Sequence, residues 1–368
     1  MPTPNEIFRP IAKISAANLL HNLKTLQSRA PQSKTIAMVK ANGYGHSICQ
    51  VAQYLENHLY GLGVARIDEA LALRQAGIQA PIMLAEGVFQ KDDLEICAAQ
   101  NFEPVFHNSL QLEWIENSKL SKPIKICLKI NSGMNRLGFD FTESKAAYQI
   151  LSANKNIIQP IGIMSHLACA DDKNHPLNNS QIAAFKNFIA NLAGEKTLNN
   201  SAGIINFPEN NYDIIRPGLA LYGASPVNDQ SAEELNLKPV MTLQTKIIAI
   251  HNLKKGETIG YGARFICPKN MKIAVAAIGY GDGYSRTIQD GAPILVGGKK
   301  CFLAGKVSMD TITIDISNNE NAQIGDEVIL WGDGLPIDEV KEFSTCSAYD
   351  LFCAVQQRVE RGIMFNNQ

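Results

Sequence analysis

Up to about residue 235, short apolar runs alternate with longer amphipathic segments. The runs are Thr35–Lys40 (TIAMVK), Leu59–Ala65, Pro81–Glu86, Glu103–Asn108, Lys125–Asn131, Ile161–Leu167, Thr197–Ala202 and Ile214–Gly223. The first six read as parallel strands buried on both faces, because they are nearly continuously apolar. The seventh is more polar, and the eighth contains Pro217 and Gly218, so both are weaker as strands. Between them lie helical patterns. In Ser15–Ala30, Leu19, Leu20, Leu23 and Leu26 share one face behind a Ser15 cap; Asp68–Gly77 and Ser180–Gly194 each close on a glycine. Strand followed by helix, eight times over with no long crossover, predicts a (β/α)8 TIM-like barrel over a doubly wound open sheet.

From Lys238 the texture changes. Thr311–Ile316 (TITIDI) alternates without a fault, Glu327–Trp331 (EVILW) is another strand, and Gly297-Gly298, Lys255-Gly256 and Gly325-Asp326 supply turns. A last helical stretch is predicted over Pro336–Phe343 and then Tyr349–Arg361, with Leu351, Phe352, Val355 and Val359 on one side. The expected organisation is a barrel domain over residues 1–237 followed by a mostly β domain over 238–368.

Composition narrows the function classes. The formal net charge is −1, so no large basic field exists to attract nucleic acid or an anionic membrane. No apolar run reaches the roughly 18–20 residues of a membrane span. Met1 to Ile14 lacks the apolar core of a signal peptide, which predicts a cytoplasmic protein. The eight cysteines form no C-x-x-C pair and read as reduced thiols, with no metal site expected.

The active site of such a barrel lies at the carboxyl ends of its strands. Lys40 ends the first run, followed by Ala41-Asn42-Gly43-Tyr44-Gly45-His46. A lysine at a barrel mouth is either solvated or, when desolvated, a good amine nucleophile towards an aldehyde. The other strand ends offer Asn131 to Arg136, Ser165-His166, Asn200-Ser201-Ala202-Gly203 and Arg216-Pro217-Gly218. Each has a structural explanation alone. Together they suit an anionic, phosphate-bearing aromatic cofactor.

Several segments then identify a resemblance. AMVKANGYGHS, NSGMNRLGF, SHLACADD, NNSAG, IRPGLALYG, IGYGARF, IGYGDGYSR, GKVSMD and AYDLF resemble, in order and spacing, the alanine racemase family of fold-type III pyridoxal-phosphate enzymes. The resemblance runs the length of the chain. It implies racemisation of alanine on pyridoxal 5′-phosphate, with Lys40 as the Schiff-base lysine. Arg216 would face the pyridine nitrogen, backed by His166. Tyr44, Ser201 and Tyr349, with the backbone at Gly218 and Leu219, would hold the phosphate. Arg136 would meet the substrate carboxylate, and Lys129 matches a position carbamylated in some members. Lys40 and Tyr261 would serve opposite faces of the α-carbon, Tyr261 and Met309 coming from the partner of a homodimer with shared active sites. Tyr280, Arg286 and Asp310 would line the entrance. In a bacterial source the D-alanine would feed peptidoglycan.

Asn131 stands where the family's pattern has an acid, Ser132 replaces Thr, and Gly43 replaces a commoner alanine. The alternatives are a serine or broad-specificity racemase, a non-catalytic pyridoxal-phosphate carrier and a decarboxylase of the same fold. A carrier would have no β domain with Tyr261, and a decarboxylase would place a cysteine where Met309 stands.

Overall fold

The structure, a computed structural model, describes residues 8–364, so the first seven residues of the segment read for a signal peptide lie outside it. Eight strands close into a parallel barrel in chain order: β2 (Lys34–Met38), β3 (Gly61–Val64), β4 (Ile82–Leu84), β5 (Phe102–Phe106), β6 (Cys127–Lys129), β7 (Gly162–Met164), β8 (Lys196–Asn200) and β9 (Ile214–Arg216), with β2 pairing back to β9. All eight apolar runs overlap one of them, the two weaker ones included. Pro217 and Gly218 fall just beyond β9, where they cost no ladder hydrogen bond.

Strands such as β3 and β4 are buried at every residue, as expected when helices cover one face and barrel side chains fill the other. Leu62, Val64, Ile82, Leu84, Val105 and Leu128 are fully buried. The helix Ala16–Ser28 starts on Ser15, whose hydroxyl accepts the Asn18 N–H at 3.2 Å. The helix predicted over 180–194 is Pro176–Ile189 instead. Pro176 stands in its first turn, where a missing N–H is no loss, and His175 caps it.

The second sheet is mostly antiparallel. Its order is Met271–Ala276, Ile312–Asp315, Lys299–Leu303, Pro293–Val296, Glu327–Trp331, β10 (Met241–Leu253), β1 (Ile11–Ser15) and Glu360–Met364, and Met271–Ala276 also pairs with β10. Two expectations are corrected here. Residues 11–15 lie within the segment assigned to the barrel, yet β1 joins the second sheet, antiparallel to β10 with Ile14 opposite Met241. The C-terminal helical pattern does not run to Arg361. The helix ends at Ala354, and Glu360–Met364 is a strand parallel to β1. The Arg361 guanidinium fastens the intervening turn, donating to the carbonyls of Val355 (2.6 Å), Gln356 (3.1 Å) and Val359 (3.1 Å). Val355 and Val359 are buried, but by this turn rather than along one helix face. Among the described residues no helix is long and apolar enough to cross a membrane.

Candidate active site

A cavity of about 360 Å3 opens at the carboxyl ends of the barrel strands. Lys40 reaches it from the turn after β2. Ala41, Asn42, Gly43, Tyr44 and Gly45 all have φ between 50° and 79°. Left-handed backbone costs a non-glycine residue on the order of 1–2 kcal/mol, so the surroundings must hold this turn. The Glu69 carboxylate accepts the Ala41 N–H at 2.7 Å and, through its other oxygen, the Ala65 N–H at 2.9 Å. Asn42 Oδ1 accepts the Ile48 N–H at 3.0 Å, and Arg361 donates to the Gly45 carbonyl at 2.6 Å. Gly45 packs so closely on the Phe352 carbonyl that a Cβ has no room. His46 is fully buried between Tyr222 and Phe352, and burial pushes its pKa down to about 3. The ring is therefore neutral, and its Nδ1–H donates to the Tyr44 carbonyl at 2.7 Å.

The cavity floor is cationic. Arg216, at the end of β9, is 3% exposed and donates to the carbonyls of Ser165 (2.8 Å) and Leu198 (3.0 Å) and to Thr197 Oγ1. Its Nη2 lies 3.4 Å from His166 Nδ1. A guanidinium only donates, so Nδ1 accepts and the imidazole is neutral. Burial first, then the Arg216 charge, holds the His166 pKa well below the usual range. Lys129, 5% exposed at the end of β6, has its pKa lowered to about 8 by burial and then by Arg216 and Arg136. Arg136 reaches the cavity from the loop after β6. Asn131, standing where an acid was expected, shapes that loop: Oδ1 accepts the N–H groups of Gly133 (3.1 Å) and Asn135 (3.0 Å).

One wall consists of hydroxyls and backbone. Ser201 Oγ accepts the N–H of Gly218 at 2.8 Å and of Ala220 at 3.3 Å. Tyr44 stacks on Tyr222 with centroids 4.8 Å apart and lies 5.9 Å from the Tyr349 ring. A Cβ on Gly218 would come within 2.5 Å of Tyr44 Oη, so any larger residue here would displace that hydroxyl from the wall. Neutral donors along bare backbone can wrap an anion such as phosphate. Lys40, one-third exposed at its side chain, is the amine at the mouth. The donor set and the glycine wall fit a phosphate-bearing aldehyde.

Lys40, Tyr44, Lys129, Arg136, His166, Ser201, Arg216, Gly218, Leu219 and Tyr349 thus converge on one cavity. Five predicted residues do not line it within one chain. Tyr261, 69% exposed, sits in the turn between Thr258–Ile259 and Phe265–Ile266. Met309 is 54% exposed, and Tyr280 carries the Arg286 guanidinium over its ring at 5.6 Å. Asp310 pairs with Arg358 at 2.7 Å, and Arg358 also bonds Asp282 at 2.7 Å. The loops bearing Tyr280 and Met309 are stitched by Tyr280 N–H to the Ser308 carbonyl (3.0 Å) and Gly281 N–H to the Met309 carbonyl (2.8 Å). Asn200, offered by the seventh strand end, also lines the cavity, and so does Glu86, to which the motifs assign no role. The rule that pointed to Lys40 also covers Glu86, which ends the run PIMLAE. Glu69, which acts from a helix on the Lys40 turn, had no such signal.

Family models for "Alanine racemase, N-terminal domain" and "Alanine racemase, C-terminal domain" match residues 14–226 and 240–363. An alanine racemase of Coxiella burnetii (strain CbuK_Q154) is 43% identical over 357 residues, covering 96% of this chain and 98% of the relative. One from Shewanella sediminis (strain HAW-EB3) is 44% identical over 350 residues, covering 95% and 98%. The crystal structure of the biosynthetic alanine racemase from Pseudomonas aeruginosa superposes with a TM-score of 0.95 at 36% identity, covering 98% of this chain and 100% of the other.

Proposed function

The chain belongs to the alanine racemase family, and on that premise we propose that its barrel cavity holds pyridoxal 5′-phosphate while two chains together complete each site for interconverting L- and D-alanine. The convergence of Lys40 with a cationic, glycine-walled cavity carries this reading. Ser201, Tyr44, Tyr349 and the Gly218–Leu219 backbone would hold the phosphate, and Arg216 would face the ring nitrogen. When bound, the cofactor supplies an aldehyde for Lys40 and a conjugated ring that stabilises negative charge on the substrate α-carbon.

Arg216 disfavours a further positive charge beside it, because it stays protonated even with its pKa lowered by burial to about 10. His166, held neutral, supports Arg216 from behind. Arg136 would orient the substrate carboxylate, joined by the Met309 N–H of the partner subunit. Racemisation removes a proton from one face of the α-carbon and returns one to the other, which requires two acid–bases. Lys40 serves the face of the D-enantiomer and Tyr261 of the partner subunit that of the L-enantiomer. Tyr280, Arg286 and Asp310 would form the partner's rim of the entrance. We place the homodimer in the cytoplasm, its D-alanine supplying peptidoglycan.

The test is chiral product analysis with L-alanine, L-serine and L-lysine side by side on the full-length protein. Alanine turns over fastest, and the purified protein is yellow. A colourless protein would remove the cofactor, and fast turnover of another amino acid with none of alanine would remove the substrate.

Lys129 offers a second measurement. With its pKa lowered to about 8, roughly a tenth of it is free amine at pH 7, and that fraction grows with pH. A free amine adds carbon dioxide to give a carbamate and a proton. The product anion would sit between Arg136 and Arg216, replacing repulsion with attraction. Incubation with 13C-bicarbonate therefore gives a carbamate NMR signal that rises from about pH 6 to about pH 9 and is lost in Lys129→Ala. Absence of that signal at the alkaline end means that Lys129 acts as a plain amine.

A further inference from the structure

The residues lining the cavity include four permanent or potential cations, Lys40, Lys129, Arg136 and Arg216, and one acid, Glu86. Glu86 Oε1 lies 3.6 Å from Lys40 Nζ. Glu86 follows β4, and its turn is built to hold it. The Ala85 N–H bonds the Val64 carbonyl at 2.8 Å, and the Gly87 N–H turns back to the Leu84 carbonyl at 3.0 Å. Gly87 has a φ of 75° and lies flat against the Val105 carbonyl, with Gln111 Nε2 only 2.6 Å from where a Cβ would stand. The neighbouring barrel unit secures the backbone from the other side. His107 Nε2 bonds the Glu86 carbonyl at 3.0 Å, and Gln111 Nε2 donates to the Val88 carbonyl at 3.0 Å. A carboxylate on so fixed a turn is delivered to the cavity mouth.

We propose that Glu86 is the positioning residue for Lys40: its carboxylate holds the ε-amino group at the mouth of the barrel and supplies the negative charge that offsets the surrounding cations. The proposal rests on the reading of Lys40 as an acid–base of the reaction. Around Lys40 the other charged or titratable groups come from separate elements: Lys129 from β6, Arg136 from the following loop, His166 after β7, Arg216 from β9, Tyr44 from its own turn, and Tyr349 and Cys353 from the helix Ala348–Ala354. None of these is a carboxylate, and Glu69, from the helix Ile67–Gln75, has its two oxygens engaged by the Ala41 and Ala65 N–H groups. Losing Glu86 removes the carboxylate that Lys40 Nζ faces and leaves Lys129, Arg136 and Arg216 in the cavity around it. The same carboxylate acts on Lys129, whose charged form it favours against burial and the two arginines.

The experiment compares wild type with Glu86→Gln, which keeps the shape and removes the charge, and with Glu86→Asp. Full-length protein freed of pyridoxal phosphate is exposed to limiting acetic anhydride, which acylates only neutral amines, and Lys40 acetylation is read by mass spectrometry. Lys24, exposed on the helix Ala16–Ser28, is the internal reference. Relative to Lys24, Lys40 reacts about 2- to 5-fold faster in Glu86→Gln at pH 8, as loss of one partly exposed counter-ion requires, while Glu86→Asp stays nearer wild type. With cofactor restored, the pH profile of racemisation in Glu86→Gln moves to lower pH on its Lys40-dependent limb. Equal acetylation in wild type and Glu86→Gln overturns the proposal. In a parallel wild-type sample loaded with pyridoxal phosphate before acetylation, Lys40 is protected; failure of that protection overturns instead the role given to Lys40, and the two failures appear in separate samples.

Discussion

Lys40→Ala abolishes racemisation in both directions, with a loss of about 10^4-fold or more. Two functions go together. The amine that would anchor the cofactor disappears, and so does the acid–base for one face of the α-carbon. Each acid–base contributes on the order of 10^2–10^4-fold, and the covalent anchor adds to it. Neither direction escapes, because a proton removed on one face must be replaced on the other. The fold survives the change. The Lys40 side chain is one-third exposed, and its partner Glu86 is 40% exposed, so the lost pair contributes at most about 1 kcal/mol to stability. The turn that follows is held by Glu69, Asn42 and Arg361, none of which depends on the lysine side chain. Chiral chromatography of both alanine enantiomers, with circular dichroism as a folding control, checks this. A folded variant that keeps more than about one per cent of activity would show that Lys40 is dispensable.

The second large effect is on chain sharing. Lys40→Ala and Tyr261→Phe are each nearly inactive alone, yet an equal mixture allowed to exchange subunits recovers about a quarter of wild-type activity. The arithmetic follows from a two-fold dimer whose sites each combine one barrel with the partner's β domain. Random exchange makes half of the dimers mixed. In each mixed dimer one site joins an intact Lys40 to an intact Tyr261, and the other has neither. The structural reason to expect this is the placement of Tyr261, 69% exposed on a turn of the second sheet and outside the cavity of its own chain. Met309 is likewise exposed, on a loop fixed to that of Tyr280. No recovery after demonstrated subunit exchange would confine each site to a single chain.

The parts of the site that were legible before the fold was seen share a cause. Lys40, Arg216 and Ser201 stand at or just past the carboxyl ends of barrel strands, and a parallel barrel brings all its strand ends to one rim. Glu86 stands at such an end as well, and physical reasoning of the same kind applies to it. Glu69 and Arg361 act on the Lys40 turn from a helix and from the last strand, at sequence distances that no local pattern spans. The last strand was misread because Leu351, Phe352, Val355 and Val359 fit a helical period, although the backbone leaves the helix at Ala354. Burial of those valines comes from Arg361 tying the turn and from the ladder with β1, both long-range.

By itself, the sequence determined the alternation of eight buried strands with covering helices, the change to a glycine-punctuated β domain and the residues at the strand ends. Hydrophobic periodicity is a local property, and a barrel uses it directly. The tertiary structure alone decided that residues 11–15 leave the barrel for the second sheet, because strand pairing is chosen among distant partners. It also decided the protonation of the site. Lys129 and His166 have their pKa values lowered by burial and by the arginines around them, and neither influence exists until the strand ends have met. The composition of the cavity's charge, with Lys40, Lys129, Arg136 and Arg216 around the one carboxylate, Glu86, that lines it among the described residues, is likewise a fact of assembly.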